Sequence, residues 1–333
     1  MGRIARRLFA LSTDEVRFDT RQFRGGLDPG VRQHIETIGL SFLEGFHGAL
    51  ESERHALLEE RLEAVEASYR GFAYEGAAMS LFLLDRLVPW RHRFPDFFDG
   101  PGRAHIYLAY VGAGWALARL PFGFRRGFAA LARLHPLYRW LAVDGYGFHQ
   151  GFFHWRRSVE EPREIPRVLR GYARRAFDQG LGRSLWFVDG ADAERIPHTI
   201  AAFPRARQAD LWSGLGLAAT YAGGVGEASL QHLGKIASTA GFGAQLAQGA
   251  AFAAEARRSA ANLTPENELA SRLFTGLPAR EAAELTVRAR QDLPADGLGI
   301  PAYEAWRLRI QEHWLPSASA PTADPPTPAY QAS

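Results

Sequence analysis

The chain has 333 residues, of which 47% are hydrophobic, a formal net charge of +3 and no cysteine. A chain of this size and composition can bury a large core, which excludes disorder over most of its length. The absence of cysteine excludes disulfide frameworks, thiolate metal sites and cysteine nucleophiles. The cofactor is unknown, and any divalent metal would have to be held by His and carboxylate side chains.

Neither nucleic acid nor a membrane is an expected partner. The 39 basic residues are interleaved with 36 acidic ones, without the single-sign stripe that nucleic-acid binding requires. The most apolar windows, 106–120 and 214–224, fall short of the roughly 20 residues that span a bilayer. The apolar stretch at the N-terminus is too short for an export signal, so the sequence predicts a cytoplasmic protein.

In chain order, residues 1–30 are predicted to form a helix and a loop, because the run from Ser12 to Glu15 matches a helix-capping box and a glycine-rich break follows it. Over residues 31–314, apolar side chains recur at spacings of three and four, as at Ile35, Ile38 and Phe42, which predicts helices. Residues 315–333 are rich in Pro and Ala and are predicted to be a disordered tail.

Clusters of small residues that begin with glycine recur along the helical region. Their first glycines are Gly39, Gly71, Gly112, Gly145, Gly180, Gly214 and Gly241, with separations of 27 to 41 residues. Such a period is typical of helix–turn–helix repeats. The sequence therefore predicts an all-α fold, a single compact domain built as a tetratricopeptide-like superhelix or solenoid, with the glycines where helices cross closely.

The repeat also predicts a site. Four residues after a leading glycine stand Glu75, His149, Ser184 and Gln245, and Glu44 stands five residues after Gly39. If these positions face a concave surface, Glu75 and His149 would share a cavity with Glu44, Gln245 and Arg183, and could bind a metal or transfer protons. The alternative is that these polar groups only satisfy one another between packed helices.

Asp178 and Arg183 complete the candidate catalytic set. They are five residues apart on a predicted helix, so each is expected to reach a neighbouring helix. Asp144 is interpreted as a helix N-cap. The aromatic residues Tyr146, Phe148, Phe153 and Trp186 fit a packed core, but they could also bind a long apolar or polyene ligand.

Other motifs are weaker. The glycines of Gly145 to Gly151 have the spacing of a dinucleotide-binding turn, but the helical context predicts no nucleotide. His149 and His154 are five residues apart, which does not place them on one helix face as a metal chelate requires. The chain has no nucleophile elbow, no phosphate-binding loop and no paired di-iron motif.

Four segments carry a resemblance to a known family: Arg70 to Met79, His105 to Arg119, Asp144 to His149 and Arg175 to Ser184. Over residues 20–312 the chain is similar to the UnbL-like family associated with enediyne biosynthesis, also described as domain of unknown function family 1702. The resemblance implies a place beside the polyketide synthases that make enediyne cores, a polyketide-derived polyene as ligand, and other enediyne accessory proteins as partners.

The leading hypothesis is therefore an accessory protein that binds and matures such a polyene in a helical cavity. A non-catalytic helical-repeat scaffold for the synthase and its accessory proteins is the alternative, and a sequestering protein for insoluble polyenes is a third. A catalyst should have an enclosed cavity with mixed polar and aromatic walls, whereas a scaffold should have a wide open groove.

Overall fold

The computed structural model describes residues 10–25, 28–52, 54–88, 90–120, 124–160, 163–296 and 299–315. Within these ranges the chain forms 17 α-helices, three short 3-10 turns and no strand, which confirms the predicted all-α class. The even-numbered helices are α2 (Pro29–Glu51), α4 (Ala67–Leu87), α6 (Ile106–Arg119), α8 (Arg139–Phe153), α10 (Ala173–Val188), α12 (Arg205–Ala222), α14 (Gly243–Ser259) and α16 (Ala279–Ala289). The odd-numbered helices are α1 (Phe18–Arg21), α3 (His55–Glu63), α5 (Arg93–Phe98), α7 (Phe124–Leu134), α9 (Trp155–Val159), α11 (Arg195–Ala201), α13 (Glu227–Thr239), α15 (Pro265–Thr275) and α17 (Ala302–Gln311).

The two predicted terminal segments fare differently. The described part of residues 1–30 holds a 3-10 turn at Thr13–Val16, with the Ser12 side chain at its N-cap, followed by the four-residue helix α1, rather than one longer helix. Of the predicted tail, only Leu315 falls within the described residues, so its disorder stays a prediction.

The even-numbered helices pack side by side in chain order and form the inner layer of the molecule, from α2 against α4 to α14 against α16. Each helix of this layer runs in a direction similar to that of its neighbour. Arg175 near the start of α10 pairs with Asp210 near the start of α12 at 2.9 Å, and Phe148 late in α8 packs on Phe187 late in α10 with 5.1 Å between ring centroids. The odd-numbered helices from α3 to α15 return the chain between them.

Glycine allows this layer to be tight. At each crossing from that of α2 and α4 to that of α12 and α14, a side chain on a glycine would overlap a carbonyl oxygen of the neighbouring helix. In each pair the glycine comes first and the residue whose carbonyl it faces comes second. The pairs are Gly45/Ala73 and Gly76/Phe42 between α2 and α4, Gly112/Glu75 between α4 and α6, Gly114/Ala142 and Gly145/Val111 between α6 and α8, Gly147/Phe177 and Gly180/Asp144 between α8 and α10, Gly182/Leu211 and Gly214/Gln179 between α10 and α12, and Gly216/Leu246 and Gly249/Ser213 between α12 and α14. Two residues along a helix turn through about 200°, so the two glycines of a Gly-x-Gly run face opposite neighbours.

These contacts correct the phase of the predicted repeat. The glycines that face the preceding helix are Gly76, Gly112, Gly145, Gly180, Gly214 and Gly249, with separations of 36, 33, 35, 34 and 35 residues. The predicted leading glycines Gly39 and Gly71 face the side chains of Val16 and Tyr221, and Gly241 has a φ of +80° in the turn after α13. The true period is therefore more regular than the predicted one.

The layer curls until its later helices meet its earlier ones. The Asn262 side chain just after α14 donates to the carbonyl of Ala67 at the start of α4 at 3.3 Å, and Tyr221 at the end of α12 packs on Phe72 of α4 at 5.2 Å. Helix α17 occupies part of the enclosed inner face, where Gln179 donates to the Tyr303 hydroxyl at 3.1 Å. No helix within the described ranges has the length and apolar character needed to cross a membrane.

Candidate functional site

Two narrow cavities lie inside the curled layer, each with a volume of about 40 Å³. We name them the distal and the proximal cavity. The distal cavity has mainly aromatic and aliphatic walls, which include Ile38, Phe42, Phe72, Trp115, Phe148, Phe152, Phe153 and Phe187. The apolar walls of the proximal cavity include Leu108, Val111, Leu141, Leu217, Phe252 and Trp306. Each has room for a few water molecules only, so a larger ligand would have to displace side chains.

A group of four polar residues, the waist cluster, lies where the two cavities meet: Glu75, Asp144, Arg183 and Tyr221. Arg183 lines both cavities, Glu75 lines the distal one, and Asp144 and Tyr221 line the proximal one. All four residues are almost fully buried: the exposed fraction is 3% for Glu75, 1% for Asp144, 5% for Arg183 and 3% for Tyr221. Arg183 Nη1 donates to Asp144 Oδ1 at 2.5 Å.

The repeat explains why polar groups meet here. Glu75, Asp144, Gln179, Ser213 and Gln248 each directly precede a glycine that faces the previous helix, and all are buried. The carbonyls of Glu75, Val111, Asp144, Gln179 and Ser213 lie at successive crossings, and Gln248 holds the equivalent position in α14. The side chains therefore form one row along the inner face. Arg183 stands one helical turn after Gln179, which brings its guanidinium over this row.

Burial determines the charge states in the cluster. Loss of solvent raises the pKa of Glu75 to about 7; Arg183 opposes this shift and the negative charge of Asp144 adds to it. Burial also raises the pKa of Asp144, against the attraction of Arg183. Burial lowers the pKa of Arg183, but Asp144 and Glu75 outweigh this and raise it. The cluster therefore holds a stable ion pair beside a carboxyl that can exchange a proton at neutral pH.

Tyr221 adds a hydroxyl to this group. A side chain at Gly71 would overlap the Tyr221 hydroxyl, and Glu75 follows Gly71 by one helical turn on the same face of α4. Burial raises the pKa of Tyr221, Arg257 opposes the rise, and Glu75 adds to it. Three buried polar atoms of the cluster have no hydrogen-bond partner among the described residues: Asp144 Oδ2, Arg183 Nε and the Tyr221 hydroxyl.

The structure does not join His149 to Glu75. His149 lies on the face of α8 towards α6, edge-on to Trp115 at 5.6 Å and tilted on Phe153 at 4.6 Å, and it does not line either cavity. Neither ring nitrogen has a partner among the described residues. Burial, with Arg119, His154 and Arg21 adding to its effect, lowers its pKa well below the usual value, so the ring is neutral.

The other predicted polar residues also lie away from the waist. Asp178 accepts two hydrogen bonds from Arg207 of α12, and burial raises its pKa to about 6 although Arg207 opposes this. Glu44 is exposed on α2. Gln245 donates to Gln311 of α17 at 3.3 Å. The prediction that Asp178 and Arg183 each reach a neighbouring helix is confirmed, but only Arg183 lines a cavity.

Among the predicted aromatic residues, Phe148 and Phe153 line the distal cavity. Tyr146 packs outwards on Phe124 of α7 at 5.1 Å, and Trp186 donates its indole N–H to the carbonyl of Gly223 at 3.1 Å. These two rings are therefore part of the packing between helices, because neither lines a cavity.

Sequence reasoning missed Asp144, Trp115 and Tyr221 as cavity residues. Asp144 is not an N-cap but lies inside α8, five residues after its start. When the repeat is counted from the glycines that face the preceding helix, Asp144 and Gln179 are equivalent to Glu75, because each directly precedes such a glycine. His149 and Ser184 hold a different position, four residues after the glycine. Counting from the residue before each Gly-x-Gly run would have found Asp144.

No group of three or more His, Asp or Glu side chains in the described part of the chain is arranged to hold a metal ion. The donors at the waist are two carboxylates whose nearest cation is the Arg183 guanidinium. The arrangement is therefore suited to proton transfer and to stabilising negative charge.

The fold and the waist cluster define a class: an all-α protein in which a curled layer of helices encloses narrow apolar cavities around buried charges. The family model described as "Protein of unknown function (DUF1702)" matches residues 1–314, and the chain belongs to that family. No curated protein and no solved structure matches the chain. The family description names no activity.

Proposed function

We propose that the protein is an accessory protein of enediyne polyketide biosynthesis that binds a polyketide-derived polyene along its axial cavities and exchanges protons with it at the waist cluster. One observation carries this proposal: two apolar cavities meet at Arg183, with a neutral-pH carboxyl, Glu75, beside it. The pathway and the polyene rest on the family resemblance, and the narrow apolar cavities support a long apolar chain as the ligand.

A conjugated chain suits such walls. It is thin and flat, and Trp115, Phe148 and Phe187 offer aromatic faces and edges for contact. At about 40 Å³ each, the cavities must widen to admit it, and side-chain rotation of the wall residues is the smallest change that can achieve this. An unbranched chain requires less widening than a ring system would.

The waist cluster can move double bonds without an oxidant. The Glu75 carboxylate removes a proton from a carbon that is acidified through conjugation with a carbonyl partway along the chain, and the electron pair moves to the oxygen of that carbonyl. Arg183 stabilises that oxyanion. Glu75 then returns the same proton to another carbon, so the chain is isomerised and every atom and electron is conserved. A pKa near 7 is favourable for both halves of this exchange.

The scaffold alternative has less support. A solenoid scaffold binds partners on a wide concave face, but here α17 covers part of the inner face, with Trp306 donating to the Thr286 carbonyl at 2.8 Å. The enclosed cavities with mixed walls match the expectation for a catalyst or a carrier.

The test is to incubate the purified full-length chain with the polyenes released by a matching synthase and to follow them by mass spectrometry. Glu75→Gln removes the proton-exchanging group at nearly constant volume, and Glu44→Gln is the matched control on an exposed carboxylate. Leu217→Phe narrows the proximal cavity.

We expect the wild type and Glu44→Gln to bind the polyene and to change its absorption spectrum at constant mass. Glu75→Gln should bind without this change, and Leu217→Phe should bind at least tenfold more weakly. Binding without conversion by the wild type would favour a carrier, and a wild type that binds none of the polyenes would contradict the proposal.

A further inference from the structure

A third cavity, the mouth groove, lies at the outer end of the proximal cavity. It has a volume of about 630 Å³, and its lining includes Tyr107, His135, Tyr138, Glu255 and Arg290. Tyr107 and Glu255 also line the proximal cavity. The three cavities therefore follow one another, and the mouth groove is the one whose size is typical of ligand sites.

Arg290 is held in a fixed position between the mouth groove and the proximal cavity. Its Nη1 donates to the Tyr107 hydroxyl at 2.9 Å and to the Tyr138 hydroxyl. The guanidinium also lies 5.8 Å from the ring centre of Trp306, which lines the proximal cavity. No acceptor within the described residues occupies Nε or Nη2 of Arg290, so these donors remain for a ligand.

Arg290 has no ion-pair contact of its own among the described residues of the groove: burial lowers its pKa, and Tyr107, Tyr138 and Glu255 together raise it. Glu255 is paired with Arg258 at 2.8 Å and also accepts from Tyr107 at 3.2 Å. Asp99 and Arg103 line the same groove with opposite charges. Burial lowers the pKa of His135, with Arg290 adding to the effect and Asp99 opposing it, which favours the neutral ring.

We propose that the mouth groove binds the carboxylate head group of an amphiphilic ligand through Arg290, while the apolar chain extends past Tyr107 into the proximal cavity. This inference rests on the proposed function and gives the polyene an orientation. A guanidinium presents two N–H groups in a plane that matches a carboxylate, and an arginine that is already fixed loses little entropy on binding. The Tyr107 and Tyr138 hydroxyls fix that plane.

The test uses three fluorescent probes with the same conjugated C18 tetraene: the carboxylic acid (cis-parinaric acid), its methyl ester and the corresponding alcohol. Each is titrated into the wild type, into Arg290→Gln and into Arg280→Gln, an exposed arginine on α16 that serves as the control. Thermal unfolding of each variant establishes that it is folded.

We expect the wild type and Arg280→Gln to bind the acid about tenfold more tightly than the ester or the alcohol. Arg290→Gln should lose this preference and bind the ester as the wild type does. Equal affinities of the wild type for acid and ester would overturn the inference and leave the proposed function intact, and this comparison requires no variant. If none of the three probes binds, the proposed function fails as well. An equal loss of acid and ester binding in Arg290→Gln would assign Arg290 a structural role and overturn the inference.

Discussion

Two clusters of buried charge lie within the curled layer, and they differ in how fully their atoms are paired. In the Arg307 cluster, Arg307 contacts Asp210 at 2.8 Å, Glu304 at 3.1 Å and Gln248 at 3.2 Å, and Arg175 contacts Asp210 and Glu304 at 2.9 and 2.6 Å. In the waist cluster, Arg183 has one carboxylate partner, Asp144, and polar atoms remain unpaired.

The difference separates charges that only hold helices together from charges that are available to a ligand. Each charged group of the Arg307 cluster has two or more partners, and together they attach α17 to α10 and α12. The waist cluster has fewer bonds, and its side chains line cavities. A buried charge is therefore not a sign of function by itself; a buried charge with unpaired donors or acceptors beside an apolar cavity is a better one.

The largest expected effect compares Arg307→Met with Arg183→Met. Arg307→Met leaves the two buried carboxylates of Asp210 and Glu304 with one remaining cation, Arg175, away from the distal and proximal cavities, and it should lower the free energy of unfolding by about 3–5 kcal/mol. Arg183→Met leaves only Asp144, which can take up a proton or meet water from the adjacent cavities, and it should cost at least ~1 kcal/mol less. Urea denaturation measures both. A larger loss for Arg183→Met would contradict the distinction between the clusters.

The second-largest expected effect is a change in the pH dependence of stability in Glu75→Gln. The pKa of Glu75 is raised to about 7, so between the carboxyl pKa of the unfolded chain and pH 7 the folded state binds the extra proton. The stability that this bound proton contributes to the folded state is complete at low pH and is lost as the pH rises through about 7. Glu75→Gln should therefore become more stable than the wild type with rising pH, on the order of 2 kcal/mol at pH 8.

Denaturation at several pH values between 5 and 8 tests this expectation, with Glu44→Gln as the control for the loss of one carboxylate. A difference between Glu75→Gln and the wild type that does not grow with pH would show that Glu75 remains charged in the folded protein. The waist cluster would then resemble the Arg307 cluster.

The smallest expected effect is that of His149→Leu. His149 is buried and neutral, without partners for either ring nitrogen among the described residues, so an apolar side chain of similar volume loses no hydrogen bond there. The free energy of unfolding should change by less than about 1 kcal/mol and polyene binding should not change. A loss of binding in a folded His149→Leu variant would extend the waist cluster along α8 to His149 and restore the predicted pairing with Glu75.

The fold class was largely predictable because its signals are local. Apolar spacing of three and four predicts helices, and recurring glycines predict close crossings, both of which depend only on neighbouring residues. The phase of the repeat was not predictable in the same way. Gly71 and Gly76 lie on the same helix, and the contact of Gly76 with the carbonyl of Phe42 shows that Gly76 is the glycine at the crossing with α2.

The site was predicted in part for the same reason. The sequence pointed to Glu75 and Arg183. However, the repeat in α4 was counted from Gly71 instead of Gly76, and this shift of five residues paired Glu75 with His149 instead of Asp144. Tyr221 and Arg290 reach their positions only when the layer curls and brings the ends of α12 and α16 to the inner face. Such long-range closure leaves no periodic trace in the sequence.

The directions of α6 and α8 also have an electrostatic consequence at the mouth groove. The N-terminal ends of both helices lie there, with Tyr107 in the first turn of α6 and Tyr138 just before α8, and each end carries partial positive charge. The C-terminal ends of α8 and α10, near Phe153 and Phe187, carry partial negative charge beside the distal cavity. The C-terminal end of α14 at Ser259 offsets one of the two positive ends at the mouth groove. A negatively charged head group is thus favoured at the mouth over the distal cavity before Arg290 makes any contact.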